Sequence, residues 1–366
     1  ALTKLSMNTP YRPTTTDKEL GFVVAALGND ELTYEKKHEF NFGVDAGFFN
    51  NRLNVTFDVY QRRNFDEIAP TVTQLYGTAY ANVGSMKSWG EELSISSTNV
   101  KTNDFSWQTS LIYSHNRTEI TDLYNQGRVI DLVQGNGFAK QGYPARALFS
   151  IPFVGINEKG NPVCINEKGQ ATVGNLNFQE RNNTDYLIYE GSTDPIYNGS
   201  LGNTFNYKGF HLNLFLTYAF GNVVRLDPVF KAKYNDLTSM NHDFKNRWMQ
   251  PGDENVTNVP GVVSRYEYEQ NRTLLNTAYN AYNYTSVRTA KGDFIRLKEI
   301  SLAYDFPHRW LEHSPVNNIS LKLQATNLML LYADKKLNGQ DPEFMNAGGV
   351  ASPMPKQFTL TLKLGL

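Results

Sequence analysis

The last residues of the chain alternate strictly between apolar and polar side chains. The apolar positions are Phe358, Leu360, Leu362, Leu364 and Leu366, and the positions between them are Thr359, Thr361, Lys363 and Gly365. Because a β-strand sends successive side chains to opposite faces, this segment has one apolar and one polar face. The pattern predicts the closing strand of a transmembrane β-barrel, apolar toward lipid and polar toward the lumen.

The composition agrees with a barrel and argues against several other classes of protein. No stretch approaches the roughly 20 apolar residues that a spanning helix needs, and the mean hydropathy is -0.47. The 21 Tyr and 22 Phe suit barrel strands, although a soluble β-sandwich or glycan-binding module stays open as an alternative. A net charge of -1 gives no electrostatic reason to expect a nucleic-acid partner.

Catalysis and cofactor binding have little support in the sequence. None of the six His stands in a metal-ligand or nucleophile-base spacing, so we expect no enzyme, no metal site and no cofactor. The single cysteine, Cys164, excludes an intrachain disulfide and is predicted to be incidental.

Four hairpins are predicted from alternating segments joined by short turns. They pair 34–47 with 52–63, 89–98 with 105–117, 196–206 with 210–220, and 293–306 with 319–328. Long connections at 64–88, 118–195, 221–292 and 331–356 separate them. Short turns that alternate with long loops are typical of outer-membrane barrels, whose turns face the periplasm and whose loops face outside.

This arrangement gives about nine membrane strands, and the first would run inward from outside. A complete bacterial barrel has an even number of strands and begins and ends inside. Residues 1–366 are therefore predicted to be one domain, an antiparallel transmembrane β-barrel portion that lacks at least one earlier strand.

Several short motifs occur along the whole chain in one order. They are Gly28-Asn29 with Leu32 to Glu35, Asn82 to Met86 with Trp89 to Glu92, Ser192 to Pro195 with Tyr207 to Phe210, Arg247-Trp248 with Pro251 to Asp253, Gly292 to Lys298, Asn327-Leu328, and Asp341 to Glu343. In this order they resemble the C-terminal half of the SusC/RagA-type TonB-dependent outer-membrane transporters of Bacteroidetes.

The resemblance implies a barrel of about 22 strands closed by a plug, which is absent from this chain. It also implies TonB-energised import of oligosaccharides or oligopeptides, with TonB acting through the absent N-terminal portion. A SusD-like surface lipoprotein would form a lid, and a dimer of transporter and lid pairs is possible. The alternative is a passive or siderophore-type outer-membrane barrel without a lid.

Two motifs are predicted to build loops rather than bind ligand. Asn157-Glu158-Lys159-Gly160 recurs as Asn166-Glu167-Lys168-Gly169, and each copy offers one carboxylate beside a Lys, which favours a hairpin turn over a calcium loop. Trp248 with Pro251 to Asp253 is predicted to anchor its loop, as is the motif from Asp341 to Glu343.

The candidate cargo-binding residues are tyrosines of the long connections that lie outside the motifs. Tyrosine offers a stacking face and a hydroxyl, which serve sugars and peptides alike. The candidates are Tyr124, Tyr143, Tyr234, Tyr266, Tyr268, Tyr282 and Tyr284. Loop packing, anchoring at the membrane interface and contact with the lid are the competing explanations for each of them.

Overall fold

A computed structural model describes residues 4–8, 21–26, 28–73, 77–234, 237, 240–312, 315–345 and 354–365. Leu366, the last apolar position of the alternating segment, and residues 346–353 of the last predicted connection lie outside the described residues.

Antiparallel strands dominate the structure. In chain order the strands are β1 (Lys4–Asn8), β2 (Gly21–Ala26), β3 (Lys36–Phe48), β4 (Leu53–Thr73), β5 (Gly77–Lys101), β6 (Phe105–Leu123), β7 (Ala147–Ser150), β8 (Phe153–Ile156), β9 (Pro162–Ile165), β10 (Ala171–Thr172), β11 (Ile188–Ser192), β12 (Tyr197–Tyr207), β13 (Phe210–Phe220), β14 (Val223–Arg225), β15 (Thr289–Lys291), β16 (Phe294–Asp305), β17 (Asn318–Ala333) and β18 (Gln357–Gly365). The α-helices are α1 (Val129–Val133), α2 (Arg265–Gln270) and α3 (Arg272–Asn283). Short 3-10 helices occupy His242–Asn246, Asp253–Asn255, Ser286–Arg288, His308–Trp310, Lys335–Leu337 and Pro342–Phe344.

One nine-stranded sheet forms the wall of the molecule. Its order is β18-β17-β16-β13-β12-β6-β5-β4-β3, so each strand pairs antiparallel with its neighbour among the long strands of the sequence. The four predicted hairpins are confirmed as β3 with β4, β5 with β6, β12 with β13, and β16 with β17. The alternating terminal segment is β18, which pairs with β17 from Thr326 to Asn318.

The register keeps apolar side chains together on one face of the whole sheet. One row of paired residues runs across it through Ala46, Val55, Ile95, Leu111, Leu201, Leu216, Leu297 and Met329. Many side chains of this face are exposed, among them Phe42 at 57% and Leu362 at 58%. The opposite face carries polar side chains such as Ser94, Ser110 and Thr217. An exposed apolar face of this extent is typical of a surface that contacts a membrane or another protein.

The predicted connection 64–88 is wrong, because most of it belongs to strands. β4 continues to Thr73 and β5 begins at Gly77, and the two stay paired along this extension. The alternating pattern is lost here because the pairing is irregular: the register shifts between Asn64 and Glu67, and Asp66 has a φ of 57°. A bulge of this kind changes which face the following side chains take, so a strict period of two cannot identify the strand.

The other long connections fold into a layer of small elements. It contains the pairs β7 with β11 and β14 with β15, the three-stranded sheet β10-β9-β8, and the helices α1 to α3. Its largest apolar cluster comprises Val129, Leu132, Val133, Ala147, Phe149, Ile151, Cys164, Leu187 and Ala281. The thiol of Cys164 is buried here, which raises its pKa to about 12 and makes it a packing residue.

A buried guanidinium holds three parts of this loop layer together. Arg225, at the end of β14, is 4% exposed. Its Nη2 atom donates to the Phe149 carbonyl at 2.6 Å and to Ser150 Oγ at 3.1 Å. Its Nη1 atom donates to the Thr285 carbonyl at 2.7 Å, and Nε donates to the Val133 carbonyl at 3.2 Å. Burial lowers the pKa of Arg225 to about 10, so the side chain is still charged at neutral pH.

A glycine of the wall makes room for a tyrosine of the neighbouring strand. The phenol of Tyr60 lies over Gly90, its cross-strand partner, and donates to Asn116 Oδ1 at 3.1 Å. A Cβ atom at Gly90 would lie 2.6 Å from the Tyr60 hydroxyl and would also clash with the carbonyl oxygen of His115. Close packing on the polar face therefore depends on the absence of a side chain here.

We expect Gly90→Ala to destabilise the sheet by about 1 to 3 kcal/mol, because both the tyrosine and a neighbouring backbone must move. Gly43→Ala is the matched control, since its Cβ atom would meet chiefly the flexible carboxylate of Asp58. Unfolding midpoints, measured by the gel-mobility shift of the folded barrel on heating, should fall for the first variant and barely change for the second. Equal midpoints for the two variants would contradict the packing argument.

For Arg225→Met, we expect the loop layer to lose about 2 to 4 kcal/mol, because buried carbonyls are left without donors. Arg265→Met is the control: its side chain is 87% exposed and pairs with Glu269 at 3.9 Å. Native-state proteolysis in increasing urea measures the opening free energy. A loss no larger than that of the control would show that Arg225 does not hold the layer.

Candidate ligand-binding cavity

The helix α3 lines one side of a cavity within the connection between β14 and β15. Its buried side chains Leu275, Ala278, Tyr279 and Tyr282 follow the spacing of one helix face. The face carrying Asn276 and Asn280 is exposed. The sequence therefore folds as an amphipathic helix that packs on the loop layer and presents amides on its open side.

The cavity has a volume of about 470 Å³, which accommodates part of an oligomeric ligand. It lies between the 228–234 segment, α2 and α3. Its lining residues are Pro228, Phe230, Lys231, Ala232, Lys233, Tyr234, Tyr268, Asn276, Tyr279, Asn280 and Asn283.

Two of the predicted tyrosines meet in this cavity. Tyr268 donates to Asn276 Oδ1 at 3.3 Å, and the ammonium of Lys233 lies 5.6 Å from the centre of its ring. Tyr234 accepts from the backbone N–H of Lys231 at 2.9 Å, and its ring meets that of Phe244 edge-on at 5.2 Å. Burial raises the pKa of Tyr234, so its hydroxyl is neutral and able to donate.

The floor of the cavity is rigid because its polar groups are already paired. Asn283 Oδ1 accepts from the Phe230 N–H at 3.1 Å, and its amide donates to the Phe230 carbonyl at 2.8 Å. Tyr279 donates to the Gly261 carbonyl at 2.6 Å. The bonds of Asn283 fix the 228–234 segment against α3. Asn280, the two lysines and the amide N–H groups of Asn276 stay available to a ligand.

The structure places the other five predicted tyrosines elsewhere. Tyr282 is 2% exposed and lies beneath the cavity against Phe230, with ring centres 5.1 Å apart. Tyr143 and Tyr284 pack against the apolar cluster of the loop layer. Tyr124 and Tyr266 are each 78% exposed, and neither lines the cavity. Their roles in cargo binding stay predictions.

The candidates predicted from the sequence do not include Lys231, Lys233, Asn276 or Asn280, which also line the cavity. A signal for the amides is present in the sequence. Asn276, Asn280 and Asn283 recur at intervals of four and three residues, the spacing of one helix face. Tyrosine content alone does not reveal this pattern.

The two Asn-Glu-Lys-Gly repeats are turns, as predicted. They connect β8 to β9 and β9 to β10, and Gly160 and Gly169 adopt φ values of 78° and 74°. Among the described residues, no group of three or more His, Cys, Asp or Glu side chains is placed to hold a metal ion.

The predicted anchoring role of Trp248 is also seen. Its indole N–H donates to Glu254 Oε2 at 2.9 Å, and a methyl group at Gly261 would lie 2.8 Å from its ring. Asp253 Oδ2 accepts the backbone N–H groups of Met249 and Gln250, which closes the turn.

The motif from Asp341 to Glu343 fastens the last connection to the wall. Asp341 is fully buried, and both of its carboxylate oxygens accept from Arg296 Nη2 at 2.6 Å. Glu343 approaches the same nitrogen at 3.2 Å. Asp341 Oδ1 also accepts the Glu343 N–H at 3.1 Å. The geometry agrees with a role in loop architecture.

Sequence comparison finds relatives that match most of this chain. A TonB-dependent receptor of Formosa agariphila is 26% identical in an alignment that covers 91% of this chain and 35% of the relative. The TonB-dependent receptor SusC of Bacteroides thetaiotaomicron is 25% identical, covering 92% of this chain and 32% of its own length. The chain thus spans about a third of the length of these curated relatives. No family model matches it.

Comparison of structures finds the same fold. A solved structure of the RagAB peptide transporter matches with a TM-score of 0.75 and 24% identity, covering 99% of this chain and 38% of that chain. A second structure, of the RagAB peptide importer in the open-open state, matches with a TM-score of 0.72 at 23% identity. The shared fold confirms the antiparallel barrel wall predicted from the sequence.

Within the described residues, no helix is long and apolar enough to cross a bilayer. The nine-stranded wall carries an exposed apolar face, and the relatives of this chain are TonB-dependent receptors. The motifs, the relatives and the barrel fold together make the chain similar to the SusC/RagA-type TonB-dependent receptors.

Proposed function

We propose that this chain is the C-terminal part of an active outer-membrane importer of oligomeric nutrients, either oligosaccharides or oligopeptides. The observation that carries the proposal is the cavity lined by Tyr234, Tyr268, Asn276 and Asn280, held by the long connections of a barrel wall. Its mechanism is binding and gated passage rather than reaction. The long connections face outside and collect cargo, and the polar face of the wall solvates it during passage.

The chemistry of the cavity suits a neutral or acidic oligomer. Two phenols provide stacking faces and hydroxyls, the amides of Asn276 and Asn280 provide donors and acceptors, and Lys231 and Lys233 provide positive charge. Amide and hydroxyl groups of peptides and sugars both match this set. Support for peptides comes from the RagAB transporter, which is named for that cargo.

Energy comes from TonB, acting through segments outside this chain. Support for this step is the designation of the relatives as TonB-dependent receptors. A SusD-like lipoprotein closes the outer mouth as a lid, and transporter and lid pairs assemble as dimers. The exposed apolar side chains of Met249, Val256 and Val262, which are 67%, 84% and 49% exposed, suit contact with such a lid.

Cargo affinity should depend on the cavity. We expect the double variant Tyr268→Ala with Asn280→Ala, made in the complete receptor, to bind cargo about tenfold to thirtyfold more weakly, because a stacking face and an amide are lost. Binding is measured with two fluorescently labelled probes, a tryptic peptide pool and a pool of oligosaccharides from a hydrolysed polysaccharide.

Tyr266→Ala is the matched control, since Tyr266 lies on the same short helix as Tyr268 but is 78% exposed and does not line the cavity. It should bind the preferred pool like the unmodified receptor. If the double variant binds that pool normally, the cavity is not the cargo site. If neither pool binds the unmodified receptor, the proposed cargo class is wrong.

A further inference from the structure

The apolar face of the wall ends in a group of basic side chains. On this face β4 carries Leu53, Val55, Phe57 and Val59 and then Gln61 and Arg63, and β6 runs from Phe105 to Tyr113 and then to His115 and Arg117. On β5 the same face carries Leu93, Glu91, Trp89 and Lys87 toward the same end. We call Arg63, Lys87, Arg117 and Trp89 the basic patch.

The register makes these four residues neighbours. Arg63 and Lys87 are direct cross-strand partners, and so are Trp89 and Arg117. The Lys87 ammonium and the Arg117 guanidinium each lie 5.7 Å from the centre of the Trp89 ring. Two cations therefore flank one indole, and the third, Arg63, lies beside Lys87 on the next strand.

The patch lies at the height of a membrane boundary. Arg63 stands ten residues after the first residue of β4, and Arg117 stands twelve residues after the first residue of β6, counted from the short turns. At about 3.3 Å per residue and a tilt of about 45°, these positions are about 23 to 28 Å from the turns. The apolar band of such a barrel is about 25 Å tall.

Most of the positive charge of the patch is uncompensated. Lys87 pairs with Glu119 at 3.1 Å. Within the part of the chain that the structure describes, neither Arg63 nor Arg117 forms an ion pair. Glu91, lower on this face, accepts the Tyr113 hydroxyl at 3.2 Å.

The patch also has room for a bulky ligand. Arg117 borders a hollow of about 330 Å³ that Thr118, Pro144 and Tyr189 also line. The ring of Tyr189 is 40% exposed there. Cations, aromatic rings and space thus occur together, and the exposed Phe40 and Phe42 of β3 continue the apolar face beside them.

We propose that the basic patch is a binding site for a phosphorylated glycolipid of the outer leaflet. With the long connections outside, as in the proposed orientation, the patch faces that leaflet, where a phosphate accepts from Arg63 and Arg117 and sugar rings pack on Trp89. The arginine forks match phosphate oxygens, which a neutral lipid lacks. The inference depends on this orientation and not on the cargo that is imported.

The test uses the complete receptor, delipidated in mild detergent and titrated with diphosphorylated lipid A or with the same lipid after its phosphates are removed. Bound lipid is counted by native mass spectrometry. We expect the phosphorylated form to bind and Arg63→Gln with Arg117→Gln to weaken it about thirtyfold. Arg63→Lys with Arg117→Lys should retain part of the affinity, which separates loss of charge from misfolding.

Lys101→Gln with Lys208→Gln is the matched control, since it removes two positive charges near the short turns at the opposite end of the wall. It should leave lipid binding unchanged. Equal affinity of the Gln variant and the unmodified receptor, or equal binding of the dephosphorylated lipid, would overturn the proposal. Displacement of the lipid by an equal concentration of inorganic phosphate would show a free anion site instead. Cargo binding by the same variants shows independently whether import fails.

Discussion

The backbone hydrogen bonds of the nine-stranded sheet set the conditions for everything else in this chain. In hydrocarbon no water is present to satisfy an unpaired N–H or C=O group, so each spanning strand needs a neighbour along its length. The ladder meets this requirement, for example from Tyr197 to Tyr207, which pairs on both sides with β6 and β13. Once the ladder is fixed, the period of two decides which side chains meet lipid, and a shift by one residue would turn Leu201 and Leu216 to the polar face.

A wall built in this way is stiff, and the loop layer has to be attached to it by other means. Buried arginines contribute both within the layer, through Arg225, and between the layer and the wall, through Arg296. Arg225 donates to carbonyls from three separate segments, and Arg296 on β16 holds the buried carboxylate of Asp341. Guanidinium groups suit this task because five donors in a fixed plane define the position of several acceptors at once. These hydrogen bonds also position α3, which lines the cavity. The carbonyl of Thr285, two residues after the end of the helix, accepts from Arg225.

Much of the wall could be predicted from the sequence, and much of the loop layer could not. Strict alternation predicts the hairpins and the terminal strand, because successive side chains of a spanning strand face lipid and the polar interior in turn. Their residue types therefore alternate as well. The sequence does not predict that β4 continues to Thr73 and that β5 begins at Gly77. The bulge at Asp66 interrupts the alternation of apolar and polar residues there. The role of Arg225 cannot be predicted from the sequence, because its partners are backbone carbonyls 60 to 92 residues away along the chain. Tyrosine content pointed to Tyr234 and Tyr268, but composition cannot separate them from Tyr282, which the fold buries.

The cavity and the basic patch both place a cation over an aromatic ring, but the cavity is open to water and the patch lies at the edge of the apolar band. At the cavity, Lys233 lies over the ring of Tyr268 among amides and hydroxyls, where water competes for every polar group and a ligand gains mainly from shape and stacking. At the basic patch, Arg117 and Lys87 flank Trp89 where the apolar band ends and the effective dielectric falls. A charge-assisted bond to phosphate is stronger there than the same bond in a water-filled cavity. The difference explains why exchangeable cargo suits the first site and a resident lipid suits the second: import requires release, whereas a lipid contact on the outer face of the wall does not.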